Sequence, residues 1–353
     1  VWISEFRIQH SEFRIPVTRR VVVTGANGTV GSNLVRELLG NGYSVLGLVR
    51  PGADRSPLEG LSTELAEVDY FDPQRLAALC QGASCIFHLA ARVSEVGSLD
   101  EFLAINVEMT RSVVQAAFRA GVPRLVYVSS AVVYGTRSRR NLCETDACEE
   151  LELHYPRTKQ LAEQYLLGLK GIETVIVRGG DVFGPRDRVA TPVFLAAAET
   201  GFFPTIGSGD TMLCYTYIDN LTRGIRLAAE RGRAGEVYNI SDGIELTLKE
   251  YIKVVAETME KKVRLVRLPY FIAYPAAALS EAVGRWFRVA PRLTRYRVQR
   301  AARDCHMSIA KARRELGYEP DLNLSEQVRA QVRWYREHCR KRSAPESRPR
   351  GVN

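Results

Sequence analysis

VVVTGANGTVG, residues 21–31, decides how the rest of the chain is read. Three consecutive valines predict a strand buried on both faces. Glycines follow at 25, 28 and 31, and then SNLVRELL places Val30, Leu34 and Leu38, with Val35 and Leu39, at helical spacing. Strand, glycine turn and amphipathic helix together describe a cradle for a dinucleotide phosphate. Gly25 permits the tight turn, Gly28 lets the backbone approach a pyrophosphate, and Gly31 allows close helix packing. The N–H groups and the positive dipole end of the helix then receive the anion. The glycines are spaced three and three, not two and three as in the commonest fingerprint.

Outward from this stretch, SVLGLV (44–49) predicts a second strand that ends at Arg50. An acid at that strand end would hydrogen-bond a ribose 2′-hydroxyl, whereas an arginine suits a 2′-phosphate. Arg50 therefore favours NADP(H) over NAD(H), with Arg55 a second phosphate contact. LAEVD (65–69) predicts a third strand and sets Asp69 toward the adenine, and CIFHLAA (85–91) a fourth, running into a small-residue turn that admits the cofactor. His88 lies on that apolar strand and reads as a packed side chain, not a base. Residues 101–120 predict one long helix whose apolar stripe is interrupted by Asn106. LVYVSS (125–130) and ETVIVR (173–178) complete the strand series. Strands alternating with helices predict a Rossmann-type, doubly wound parallel sheet of the α/β class.

Beyond Arg178 the texture changes. Residues 179–217 are rich in glycine and proline and read as loops covering a substrate. We therefore expect a dinucleotide-binding domain over 20–180 and about 213–240, and a smaller C-terminal α/β substrate-binding region over 181–212 and 241–339. Residues 1–19, where SEFRI occurs twice, read as a poorly ordered extension, and 340–353 as a tail. LPYFIAYPAAALSEAVGRWF (268–287) predicts either a core helix or the wall of an apolar pocket. The segment after it, 285–303, holds seven arginines. A solvated basic face is preferred there to a peripheral membrane contact. The net charge of +9 comes with no nucleic-acid-binding motif. No run of eighteen apolar residues and no cleavable signal appears, and the seven cysteines lack metal-ligand spacing, as in the reduced thiols of a cytosolic protein.

The chemistry concentrates in HYPRTKQLAEQYLL. Tyr155 and Lys159 are four apart on a predicted helix and share one face, with Pro156 in the first turn. A phenol there serves as general acid or base if a neighbouring ammonium brings its pKa down from about 10 toward neutrality. Ser130, at the end of a predicted strand, is suited to hydrogen-bonding the oxygen of a reacting carbonyl.

TGANGTVG, HLAA, NVEMT, VYVSSAVVYG, YPRTK and VRGGDVFGPRD together resemble the extended short-chain dehydrogenase/reductase superfamily over residues 20–340. LVRPGADRSPLEGL, GPRDR and SIAKARRELGYEP are most similar to its branch of 3β-hydroxysteroid dehydrogenases and dihydroflavonol-4-reductases. The resemblance implies Ser130, Tyr155 and Lys159 as the catalytic set, Ser130 being preferred to Ser129. Asn106 would support Lys159 through a helix kink and a bound water. It further implies cofactor contacts at Thr24, Gly25, Asn27, Gly28, Thr29, Val30, Gly31, Arg50, Asp69, Tyr70, Leu89, Ala90, Ala91, Val128, Arg178 and Val182, besides Tyr155 and Lys159. Substrate contacts would come from Val93, Ser130, Val132, Tyr134, Asp181 and Tyr215, and the chain would form a homodimer. Two positions depart from the pattern: Met109 stands where the family has glycine, and Gly179 where it has proline, which would loosen the following loop. The expected reaction interconverts a ketone and a secondary alcohol on an apolar small molecule. The alternative is a nucleotide-sugar epimerase or dehydratase with tightly held NAD, in which arginines between Arg178 and Arg188 grip a diphosphate.

Overall fold

The structure is a computed structural model that describes residues 19–338 apart from 150–152, 189, 288, 290 and 292. The extension and tail expected at the two ends lie outside the described residues, save for Arg19. The first half alternates strand and helix: β1 (Arg20–Thr24), α1 (Thr29–Gly40), β2 (Ser44–Val49), β3 (Glu64–Glu67), α2 (Pro73–Cys80) and β4 (Cys85–His88). There follow α3 (Leu99–Leu103), a π-helical turn at Ala104–Glu108, α4 (Met109–Arg119), β5 (Arg124–Ser130), β6 (Arg139–Leu142), α5 (His154–Leu167) and β7 (Glu173–Gly179). The second half carries β8 (Asp181–Phe183), α6 (Thr191–Thr200), β9 (Phe202–Ile206), β10 (Tyr215–Tyr217), α7 (Ile218–Arg231), β11 (Glu236–Ile240) and α8 (Leu248–Thr258). It closes with β12 (Arg264–Leu268), α9 (Tyr270–Phe287), α10 (Arg295–Ala302), β13 (Cys305–Met307), α11 (Ala310–Leu316) and α12 (Leu324–His338).

Seven of the strands form one parallel sheet in the order β11-β7-β5-β4-β1-β2-β3. The valine run of β1 feeds both faces of it. Val21 and Val23 pack with Leu34, Leu38, Ile225 and Leu316 on the side of α1, α7 and α11. Val22 packs with Leu76, Val113, Ala117 and Leu166 on the side of α2, α4 and α5. That two-sided burial is why β1 reads as an unbroken apolar run.

Three expectations change. The helix expected over 101–120 is broken into α3, the π-turn and α4, because Asn106 is pulled out of the regular ladder by tertiary hydrogen bonds described below. The region 179–217 is not loop alone; it holds β8, α6, β9 and β10. These short elements find their partners far along the chain, β9 with β12 and β8 with β10, so local periodicity does not announce them. Gly179 does not loosen the chain either: it is the last residue of β7, in register with Ser130 on one side and Ile240 on the other. Met109, in the other departing position, is buried in the sheet-facing cluster.

Candidate active site

The glycine turn lies at the carboxyl end of β1. Gly25 has φ +64°, and a Cβ there would come within 3.0 Å of the Ala90 backbone. A Cβ on Gly31 would collide with the Gly25 carbonyl. Gly28 is the N-cap of α1 and offers no side chain to that helix end, so its first N–H groups face outward with no intrahelical partner. This cradle, shaped by absent side chains and lined by amide donors, fits a dinucleotide pyrophosphate.

The neighbouring side chains mostly hold the cradle in place. The Gly25 N–H donates to the Tyr70 hydroxyl (3.0 Å), which donates in turn to the Leu48 carbonyl (2.9 Å). Tyr70 is 4% exposed, so its phenol is a brace for the turn and not a cofactor contact. The Thr24 hydroxyl accepts from Leu89 and Ala90 N–H and bonds His88 Nδ1 at 2.8 Å, which commits it internally as well. Those two bonds end β4 at His88 and hold Leu89, Ala90 and Ala91 in the turn beside Gly25. Asn27 donates to the Asp54 carbonyl (3.0 Å), and Thr29 to the Arg186 carbonyl (3.2 Å). Val30 and Val182 are partly buried nearby, packed against the core. Asp69 is exposed and caps its own turn by accepting from Phe71 N–H. Arg50 is exposed at the end of β2, whereas Arg55 is paired with Glu67.

His88 is a buried strut, as its strand position implies. Its Nδ1 faces Thr24, and its Nε2 lies 2.9 Å from the Thr110 hydroxyl, which itself donates to the Asn106 carbonyl. Burial, with Lys159 nearby, lowers its pKa to about 3, so the ring is neutral. The chain of bonds continues across the π-turn. Asn106 Oδ1 accepts from Arg92 N–H (2.7 Å), and its Nδ2 donates to the Thr158 hydroxyl (3.0 Å). Asn106 thus meets α5 at the residue next to Lys159.

Lys159 and Tyr155 rise from the first turns of α5 against the end of β5. The Lys159 ammonium donates to the Val128 carbonyl (2.8 Å) and the Tyr127 hydroxyl (3.1 Å), and lies 4.4 Å from the Tyr127 ring centre. Val128 enters the site through that carbonyl. Burial lowers the lysine's pKa from 10.5 to about 7, opposed by the Glu163 carboxylate. The nearby Ser130 hydroxyl pulls the phenol's pKa down. The net shift is nonetheless upward: burial dominates, and the Tyr296 phenol adds to it. The lowered phenol expected from the Tyr-Lys spacing is thus not produced by the chain's own groups. In this structure Tyr155 holds its proton. Ser129, on the opposite face of β5, has a buried hydroxyl without a protein partner among the described residues.

Two expected contacts are corrected by burial. Arg178 is 5% exposed and donates through Nε and NH2 to Glu163 (2.7 Å at the shortest), with its guanidinium 4.8 Å from the Tyr134 ring centre. It braces β7 against α5 and is not available to a cofactor. Tyr134 is 1% exposed, its hydroxyl bonded to Asn239 Oδ1 at 2.8 Å, so it reaches no substrate. Of the remaining substrate candidates, Val132 is partly buried beside Ser130, and Val93 is 70% exposed on the loop after β4.

Asp181 and Tyr215 belong to a polar cluster whose other members are not visible from sequence. Arg300 of α10 donates to both oxygens of Asp181 (2.7 and 2.8 Å). Tyr215 stacks on Tyr251, and its buried hydroxyl has no protein partner among the described residues. Tyr296, one helical turn before Arg300, faces this pair and Tyr155 together. Burial raises its pKa to about 12, with Arg300 lowering it and Asp181 raising it. Tyr296 lies 141 positions from Tyr155 in the chain, so no spacing rule connects them.

A family model described as the NAD dependent epimerase/dehydratase family matches residues 21–241. The chain belongs to that family. It is an extended short-chain dehydrogenase/reductase, an enzyme of the oxidoreductase class that works with NAD(P). It is 32% identical over 309 residues to the 4-hydroxy-2-methyl-3-oxo-4-farnesyl-3,4-dihydroquinoline-1-oxide ketoreductase of Stigmatella aurantiaca, covering 85% of this chain and 91% of that protein. It is also 32% identical over 337 residues to the 3 beta-hydroxysteroid dehydrogenase/Delta 5-->4-isomerase of Mycobacterium tuberculosis, covering 85% and 86%. Among solved structures, the dTDP-glucose 4,6-dehydratase of Streptomyces venezuelae with NAD bound superposes with a TM-score of 0.73 at 26% identity, covering 90% of this chain and 97% of that one.

Proposed function

We propose that this enzyme interconverts a ketone and a secondary alcohol on an apolar substrate of steroid, flavonoid or β-keto-lipid kind, with NADP(H) preferred to NAD(H). The observation that carries the reading is the meeting of Ser130, Tyr155 and Lys159 at the carboxyl edge of the sheet, beside a glycine cradle that fits a dinucleotide. The bound dinucleotide supplies the hydride donor or acceptor. Ser130 holds the substrate oxygen, and Tyr155, protonated as its surroundings dictate, gives that oxygen its proton. This resting state suits the reductive direction. Lys159, anchored by the Val128 carbonyl and the Tyr127 hydroxyl, keeps a cationic group on the same helix face as the phenol and favours the phenolate that donation leaves behind. Exposed Arg50 is the group that would meet a 2′-phosphate. Two relatives whose names give a ketone or hydroxyl on a large apolar skeleton support the substrate class.

The arginines weigh against a nucleotide-sugar substrate. Arg178 is held by Glu163, Arg186 donates to Asn33 (2.7 Å), and Arg188 pairs with Asp54 (3.1 Å). To grip a diphosphate each of the three would have to give up a partner within the chain, Arg178 a buried one. The test is nicotinamide absorbance with the purified enzyme, NADPH or NADH, and a panel of apolar ketones and nucleotide sugars. Net consumption of NADPH with an apolar ketone is expected. Turnover of a sugar without net cofactor change would replace this reading with an epimerase.

A further inference from the structure

The helix α9 buries only one narrow stripe. Ala273 and Ala277 are fully buried against Ile206 and Val298, and Gly284 is buried on the same side. At 100° per residue these three fall on one face. The outward side carries Phe271, Ile272, Leu279, Val283 and Trp286, all exposed, with Phe271 at 75%, Leu279 at 66% and Trp286 at 84%. A solvent-facing helix ordinarily shows the reverse polarity. Contiguous exposed apolar surface of this kind marks an interaction site.

Charge decides what covers it. The only acidic residue of α9, Glu281, is turned to Arg295 of α10 (2.8 Å), so no carboxylate stands on the apolar face. The strand β12 runs through Pro269 directly into α9, so exposed Arg267 adjoins the start of that face, with exposed Arg264 three residues before it on the same strand. Of the basic segment expected downstream, three described arginines are paired within the chain. Arg295, Arg297 and Arg300 pair with Glu281, Glu95 and Asp181. An apolar helix face that begins with Phe271 and ends with Trp286, flanked by cations, fits a bilayer with anionic headgroups. Among the described residues no helix is long and apolar enough to cross a membrane.

We propose that α9 docks this protein onto an anionic lipid surface, lying in the interface plane with Phe271, Leu279, Val283 and Trp286 among the acyl chains. The same helix packs on α10, which carries Tyr296 to Tyr155, so the docked surface and the active site share one helical hairpin.

The experiment is co-sedimentation of the full chain with vesicles of phosphatidylcholine alone, or with about a quarter phosphatidylglycerol. Binding to the anionic vesicles is expected, weakened by salt. Leu279→Glu and Trp286→Glu, both at exposed positions, should each weaken it roughly ten-fold or more. Arg264→Glu and Arg267→Glu should cost about five-fold each. Thermal melts and NADPH binding show whether each variant remains folded. Absence of binding, equal binding by all variants, or equal binding to uncharged vesicles would overturn the proposal. So would a dimer, seen by light scattering, that depends on Leu279 and Trp286 while vesicles stay unbound; that result assigns the face to a second copy of the chain.

Discussion

The floor of the active site and the hairpin above it are built by different means. The floor is made of strand ends and helix starts in one parallel sheet, and its side chains are tied by short buried bonds. Thr24, His88, Thr110 and Asn106 form a continuous polar chain, and Lys159 is fixed by Val128 and Tyr127. The α9–α10 hairpin is attached by a small apolar contact, by an exposed cluster in which Glu95 takes Arg297 and the Thr294 hydroxyl, and by the part-buried pair of Asp181 with Arg300. Buried, fully bonded groups resist displacement, while exposed pairs contribute little energy. The proposed catalytic set thus sits where the geometry is rigid, and the hairpin where a few weaker contacts can be exchanged.

The largest effect that could break this division comes from the floor. Tyr155→Phe should lower kcat by about 10²–10⁴-fold while leaving NADPH affinity nearly unchanged, measured by steady-state kinetics and fluorescence titration. A comparable loss of cofactor affinity would show that the phenol acts in binding instead. Next, Arg50→Asp should reduce the preference for NADPH over NADH by about 10- to 100-fold, the worth of charge-assisted hydrogen bonds to a phosphate. An unchanged ratio of kcat/KM values would remove Arg50 from cofactor selection.

Two buried ionisable groups sharpen the contrast through pH. In the floor, Lys159 has its pKa lowered from 10.5 to about 7 by burial. The folded chain then binds fewer protons than the unfolded one between those values, so stability rises with pH across that window. Asp242, which accepts from Tyr217 N–H and Asn220 where β10 meets α7, has its pKa raised from 3.8 to about 7, again chiefly by burial. There the folded chain holds the extra proton, and stability falls as pH rises from about 4 to about 7. Denaturant melts should show slopes of opposite sign, at most about 1.4 kcal/mol per pH unit each. Lys159→Met should flatten the upper window and Asp242→Asn the lower. The smallest effect belongs to the hairpin. Glu95→Gln weakens an exposed pair, so KM should rise about two- to five-fold with kcat little changed. A large fall in kcat would mean that the hairpin takes part in the chemistry.

Much of the floor is legible in the amino-acid sequence. The valine run, the glycine turn and the Tyr155–Lys159 spacing are local signals, set by strand burial, backbone clearance and helical pitch, and the parallel sheet follows from the alternation of elements. Side-chain commitments are not legible there. Arg178 and Tyr134 look like site residues from their neighbours along the chain, but Glu163 and Asn239 claim them. The π-turn is invisible as well, because a helical stripe with one polar residue gives no sign that Arg92 and Thr158 will pull Asn106 aside.

By itself, then, the sequence determined the parallel α/β sheet, the dinucleotide cradle and the residue types available for proton transfer, since each depends on residues only a few positions apart. Tertiary structure alone decided that Tyr155 keeps its proton, that Tyr296 stands near it while Arg300 takes Asp181, and that one face of α9 is left in solvent. Those outcomes depend on which distant groups exclude water from a side chain, and solvent exclusion has no local signature.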